Sequence, residues 1–181
     1  MKEEELIKSC IKGNRKAQNE LYHQYRDTLY FISLKYSRND AEAEDNLHDA
    51  FITIFQKIKT FKDKGSFEGW MKRITIYKAI DKYKEKRPIA VELINDRLED
   101  TTIESDLEQL PLNTLLMAIQ ELPDQYRLVF NLYQMDGYSH KEVAELLEIS
   151  EGTSKSNYHR AKLLLKEKLT QLLPAMKLKS K

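Results

Sequence analysis

The chain has 181 residues, 41% apolar and 33% charged, with 30 Lys and Arg against 29 Asp and Glu. That length holds one ordinary domain or two small ones. No stretch approaches ~18 uninterrupted apolar residues, which excludes a membrane-spanning helix, and the single cysteine, Cys10, excludes an internal disulfide.

The N-terminus, MKEEELIKSC, places acids where a secretory signal has cations, so the chain is expected to be cytoplasmic with no membrane insertion. Five Gly and four Pro are too few for a turn-rich sheet protein, and the prediction is all-α. The near-neutral total conceals segmentation. Residues 1–87 carry 19 basic and 14 acidic side chains, 88–113 carry one and seven, and 150–181 carry eight and two. Two basic regions flank an acidic spacer, and such asymmetry bears on partners more than the sum does.

In the first region, AQNELYHQYRDTLYFISLKYS spaces Leu21, Tyr25, Leu29, Ile32 and Tyr36 three or four apart, the period of a helix with one apolar face. The next segment, NDAEAEDNLHDAFITIFQKIKTF, opens on Asn39 and Glu42 at capping-box spacing, with acids crowding the first turn. Leu47, Phe51, Ile54, Phe55 and Ile58 form its core stripe. KDKGS then breaks the chain, and Ser66 is placed to cap SFEGWMKRITIYKAIDKYKEKR. That helix is apolar on two sides. Phe67, Trp70, Met71 and Ile74 share one, which is expected to build the bundle. Ile76, Ala79, Ile80 and Tyr83 share the other, which is either covered within the bundle as well or left open to meet a ligand. Nine Lys and Arg fall within 61–87.

Residues 88–113 begin at Pro88, contain Pro111 and lack a sustained helical period, so they read as a flexible acidic linker. The predicted architecture is two small helical bundles, 1–87 and 114–181, joined by that linker. In the second, Leu128, Val129, Leu132 and Met135 carry a stripe that Gly137 ends. Ser139 with Glu142 repeats the capping-box spacing before a short helix. After EIS, Ser150 caps a longer one, where Ser154, Tyr158, Ala161 and Leu165 face in and Lys155, Ser156, His159 and Arg160 face out. A short helix, a three-residue turn and a helix with a basic, polar outer face is the helix-turn-helix plan, suited to the major groove. Lys162 and Lys166 lie further on, where they would meet phosphates.

The stretch LPDQYRLVFNLYQMDGYSHKEVAELLEISEGTSKSNYHRAKLLL resembles the promoter-binding region four of the sigma-70 family. AEAEDNLHDAFITIFQKIKTF and SFEGWMKRITIYKAIDKYKEKR resemble its region two. Two regions with a short linker between them, spanning about 12–172, are similar to the extracytoplasmic-function (ECF) sigma factors of bacteria. The resemblance implies a factor that binds core RNA polymerase, recognises the −10 and −35 promoter elements and assists melting. Such a factor is not an enzyme and uses no cofactor or metal.

Residue by residue, it implies polymerase docking through Glu44, Asp45, His48 and Asp49, with His48 standing where the family usually has Gln. For the −10 element, bound as a single strand, it implies Phe61, Lys62, Lys64 and Ser66 in the loop and Trp70, Lys72, Arg73 and Tyr77 in the helix. Aromatic platforms beside cations suit unstacked bases. Trp70 fits a core role as well, and Tyr77 replaces a common Asn. For the −35 duplex it implies Lys155, Ser156, His159 and Arg160. Ser154 replaces a core Val, Asn157 a common Arg with a phosphate contact, and Glu148 a turn Gly. The acidic linker reads either as a solvated tether or as a mimic of RNA charge along the exit path. Family members are commonly held by an anti-sigma factor.

An ordinary helix-turn-helix repressor explains the second region but leaves the first unexplained. An enzyme fits poorly: His23, His48, His140 and His159 lie far apart in sequence, and no Gly-rich phosphate loop occurs.

Overall fold

The computed structural model describes residues 2–62, 64–86 and 111–179, with side-chain surroundings as far as residue 171. Among these residues every regular element is helical, as expected. The chain divides into two compact units, Met1–Lys82 and Tyr83–Lys181. Most of the expected linker, 88–110, lies outside the described residues.

The first unit begins with a helix that periodicity did not reveal, α1 (Glu3–Ile11), which buries Leu6 and Cys10. Gly13, at φ 77°, turns the chain. Asn14 Oδ1 then accepts from the Lys16 and Ala17 N–H groups (2.9 and 3.2 Å) to start α2 (Arg15–Tyr36). Leu21, Tyr25, Leu29, Ile32 and Tyr36 are all buried, so the apolar stripe of α2 is the core face.

In α3 (Asp40–Lys57), Asn39 accepts from the Glu42 N–H as expected (2.9 Å). The Glu42 carboxylate instead accepts from Arg38 N–H (3.1 Å), one residue before the cap. Ala43 and Ala50 are wholly buried. Asn46, also buried, donates from Nδ2 to Ser33 Oγ (3.1 Å) and to the Thr75 carbonyl (3.2 Å), joining three helices through one amide.

A short 3-10 turn, Ile58–Thr60, leads into the loop before α4 (Phe67–Lys86). Ser66 Oγ accepts from Gly69 N–H (3.0 Å) and caps α4 as predicted. Phe67 and Met71 enter the main core with Trp70 and Ile74 against it. Of the two readings of the opposite apolar side, the covered one holds and the open one fails: Ile76, Ala79 and Ile80 are buried too. Helix α3 lies along the flank between the two sides, through Asn46–Thr75 and the Asp49–Lys82 ion pair (2.7 Å). The open face of α4 is a third one, polar and aromatic.

The second unit runs through α5 (Leu112–Gln120), α6 (Asp124–Phe130), a π turn (Asn131–Met135), α7 (His140–Leu147) and α8 (Glu151–Lys179). Ala118, Ile119, Leu122, Phe130, Ala161, Leu165 and Leu169 pack as one cluster. Arg127 is 3% exposed. Its Nη1 donates to the Gln120 and Leu122 carbonyls (3.0 and 2.8 Å), and its Nη2 pairs with Asp124. A cation thus satisfies carbonyls that the end of α5 leaves unpaired. At the π turn the ladder widens, Asp136 N–H reaching Asn131 O (2.9 Å), while Asn131 Nδ2 donates to Arg127 O (3.0 Å).

The Ser139 capping box forms in full: Ser139 N–H donates to Glu142 Oε2 (2.8 Å) and Glu142 N–H to Ser139 Oγ (3.3 Å). The Ser139 N–H and, at 2.7 Å, the Ser139 hydroxyl both donate to the exposed Glu142 carboxylate and hold it below its ordinary pKa. Glu148 follows α7 at φ 56°, ψ 48°, the left-handed position usually given to Gly. Ser150 Oγ accepts from Thr153 N–H (3.0 Å), and α8 begins. The helix-turn-helix read from the sequence is therefore present, with its three-residue turn at 148–150.

Candidate nucleic-acid and polymerase interfaces

Where the loop meets α4, Phe61, Phe67 and Trp70 form a three-ring cluster. Phe67 stacks on Trp70 (centroids 5.6 Å, planes 20° apart), while Phe61 leans on both at 5.1 and 5.6 Å. Phe67 is buried, and Phe61 and Trp70 are each half-buried. Trp70 thus has both readings at once, one part of its ring against the core and the rest at the surface. On α4, Ser66, Trp70, Arg73 and Tyr77 fall within about 60° of arc. Arg73 and Tyr77 are exposed, Tyr77 by 39%.

Lys62 and Lys64 are exposed in the preceding loop. Lys72 is the residue the structure does not bring to this face. It points roughly 100° or more away from the others and is ion-paired with Glu68 at 2.6 Å. The surface is a set of ring faces backed by a packed core and flanked by exposed cations, a combination suited to stacking unpaired bases.

On α3, Glu44, Asp45 and His48 are exposed, and Asp49 is half-buried against Lys82. All four share one side with Ile52, which is 55% exposed and was missing from the sequence-derived set. Its signal was there: Ile52 is four residues beyond His48 and off the core stripe of Leu47, Phe51 and Ile54. An acidic face with one apolar side chain in its middle offers charge for steering and a desolvated anchor.

On α8, Lys155, Ser156, His159 and Arg160 span roughly 140° of arc. Lys155 is exposed and ion-paired with Glu151 (2.8 Å). That pairing pulls the Glu151 carboxyl below its ordinary pKa. Ser156 Oγ donates to the Thr153 carbonyl (3.1 Å), and Arg160 Nη1 to Tyr126 OH (3.4 Å). His159, expected to face out, is instead buried at 9% exposure.

Asn157 is 2% exposed, in keeping with the loss of a phosphate contact expected where Asn replaces the usual Arg. Ser154, read as a loss of packing, is joined to His140 Nδ1 by a 2.9 Å hydrogen bond that ties α7 to α8. His140 also stacks on Tyr133 at 3.9 Å, planes 11° apart. Burial first, then the nearby Lys155 charge, hold its imidazole below the ordinary pKa, with Glu151 acting the other way.

The described residues contain no group of three His, Cys, Asp or Glu placed to hold a metal ion. None of their helices is long and apolar enough to cross a membrane.

Two family models match this chain. The sigma-70 region 2 family model matches residues 21–89, and the sigma-70 region 4 model matches 112–165. The ECF RNA polymerase sigma factor SigW of Bacillus subtilis is 30% identical over 183 positions, covering 92% of this chain and 96% of that protein. The chain belongs to the ECF sigma factors. Similar relatives include SigE of Mycolicibacterium smegmatis, 30% identical over 84% of this chain and 62% of its own length. Among solved structures, the sigma factor RpoE of Bartonella quintana, in complex with the anti-sigma factor NepR, is similar in fold. It has a TM-score of 0.50 at 19% identity, over 84% of this chain and 96% of that one. As an ECF sigma factor, the protein binds core RNA polymerase and promoter DNA and directs transcription initiation. ECF sigma factors are initiation factors rather than enzymes.

Proposed function

We propose that the two units divide promoter recognition, with 1–87 serving the −10 element and polymerase docking, 114–181 serving the −35 element, and 88–113 joining them. The observation that carries this reading is the separation of three chemistries onto three faces. The acidic face of α3 with Ile52 suits a basic partner, so Glu44, Asp45, His48 and Asp49 dock the polymerase. Phe61, Lys62, Lys64, Ser66, Trp70, Arg73 and Tyr77 receive the melted −10 strand. Lys72 acts there only if it leaves Glu68. In the −35 duplex, Lys155 and Arg160 have the donors for guanine, and Ser156 serves several bases. His159 reads a base once uncovered.

The protein acts in the cytoplasm and catalyses nothing itself. An anti-sigma factor is a further proposed partner, as one accompanies the solved relative RpoE.

Run-off transcription with purified core polymerase tests the whole. The expected result is promoter-specific transcripts from a genomic library that depend on both elements. Transcripts unaffected by scrambling either element would refute the division.

A further inference from the structure

Helix α1 lies before the region matched by the family model, which begins at residue 21. It nevertheless reaches the ring cluster by two routes. First, the buried Tyr25 of α2 donates its hydroxyl to Glu3 Oε2 at 2.7 Å. The Tyr25 ring meets Phe67 edge-on, with centroids 6.0 Å apart and planes at 78°, and Phe67 is the ring on which Trp70 stacks. Second, α1 packs against the 3-10 turn Ile58–Thr60, which delivers Phe61 to the same cluster.

Glu3 is exposed, so its carboxylate fills no core volume. What it supplies is a partner for a phenol that burial would otherwise leave unsatisfied, and that bond fixes the tilt of the ring. Burial, then the Glu3 hydrogen bond, hold the Tyr25 hydroxyl well above its ordinary pKa, so it remains a donor throughout the physiological range.

We propose that Glu3 and Tyr25 are positioning residues for single-strand recognition, with α1 setting through them the arrangement of Phe61, Phe67 and Trp70. The inference rests on the assignment of that cluster to the −10 strand. It makes the first turn of α1 a determinant of promoter opening.

Trp70 is the one tryptophan in the chain, so its emission reports the cluster directly in the full-length protein. Tyr25→Phe keeps the ring and removes only the hydroxyl. Glu3→Ala removes the acceptor and Glu3→Gln keeps one. The probes are a short single-stranded oligonucleotide of random sequence and a duplex of random sequence.

Tyr25→Phe and Glu3→Ala are expected to raise acrylamide quenching of Trp70 about twofold and weaken single-strand binding about threefold to tenfold, the scale of one lost hydrogen bond. Duplex binding should stay level, and Glu3→Gln should remain within about twofold of the parent. Glu3→Ala with parental quenching and parental single-strand affinity overturns the inference. So does an equal loss on duplex, which would mean general destabilisation.

Arg73→Ala separates the two levels. If it weakens single-strand binding while Glu3→Ala does not, only the role of α1 falls. If neither changes it, the −10 assignment falls and takes this inference with it.

Discussion

Helices α4 and α8 open on the same device: Ser66 accepts from Gly69 N–H and Ser150 from Thr153 N–H, each at 3.0 Å. Beyond the cap they diverge. Helix α4 starts with rings, Phe67 and Trp70 stacked together and Phe61 leaning in from the loop. Helix α8 starts with polar side chains on its outer arc and keeps its rings behind, where Tyr158 stacks near Phe130.

The difference follows from what each helix would meet. An unstacked base presents a ring face, which another ring can cover, whereas a paired base presents only donors and acceptors at its edge. The two units are pinned differently as well. In the first, Asn46 joins three helices through a neutral amide. In the second, the charged Arg127 closes the end of α5.

The largest effect is expected where that second pin is removed. Arg127→Ala leaves two carbonyls and Asp124 without their cation, and should destabilise the second unit by about 3 kcal/mol. Urea unfolding by circular dichroism reads the loss, while Trp70 emission should show the first unit unmoved. A loss below about 1 kcal/mol would mean that water or another donor replaces the guanidinium.

Next in size is Arg160→Ala, which should weaken −35 duplex binding by ~1–3 kcal/mol if the side chain reads a base. Equal weakening on scrambled DNA would reassign it to phosphate, and the contrast between base-reading α8 and ring-stacking α4 would blur. Tyr77→Asn tests the other helix. Exchanging a ring for an amide should shift the preferred −10 base by about 1 kcal/mol, and an unaltered preference in a randomised promoter library would remove Tyr77 from the site.

The smallest effect concerns the turn between α7 and α8. Glu148 occupies φ 56°, where a Cβ is strained, so Glu148→Gly should raise stability by about 0.5–1 kcal/mol after the greater freedom of Gly in the unfolded chain is set against it. Thermal melting decides, and a lowered midpoint would show that side-chain contacts of Glu148 outweigh its backbone strain.

Local signals were legible in the sequence wherever one element sufficed to define them. The stripe of α2 and the caps at Asn39, Ser66, Ser139 and Ser150 depend on spacing and on the chemistry of residues three or four apart, whereas the turn at Glu148 was legible only through the family resemblance. The helix-turn-helix followed from those parts. Other features depended on a partner element that no period encodes.

Helix α1 is short, and its role emerges only where Glu3 meets Tyr25 across 22 positions. The second apolar side of α4 looked available because nothing within the helix says what covers it. Ser154 looked like lost packing until α7 brought His140 to it, and His159, read as facing out, is buried. Ile52 differs from these: its period with His48 was legible within the one helix, and only its 55% exposure came from the structure.

Residue type and spacing determined that this chain makes helices, where they start, and which sides are apolar, because those depend on backbone hydrogen bonds and the 3.6-residue turn. Which apolar side is covered, which cation is already paired and which ring rests on which was decided by tertiary packing. Those outcomes turn on distances of a few ångströms between groups far apart in sequence, where burial and hydrogen bonding decide what stays available to a partner.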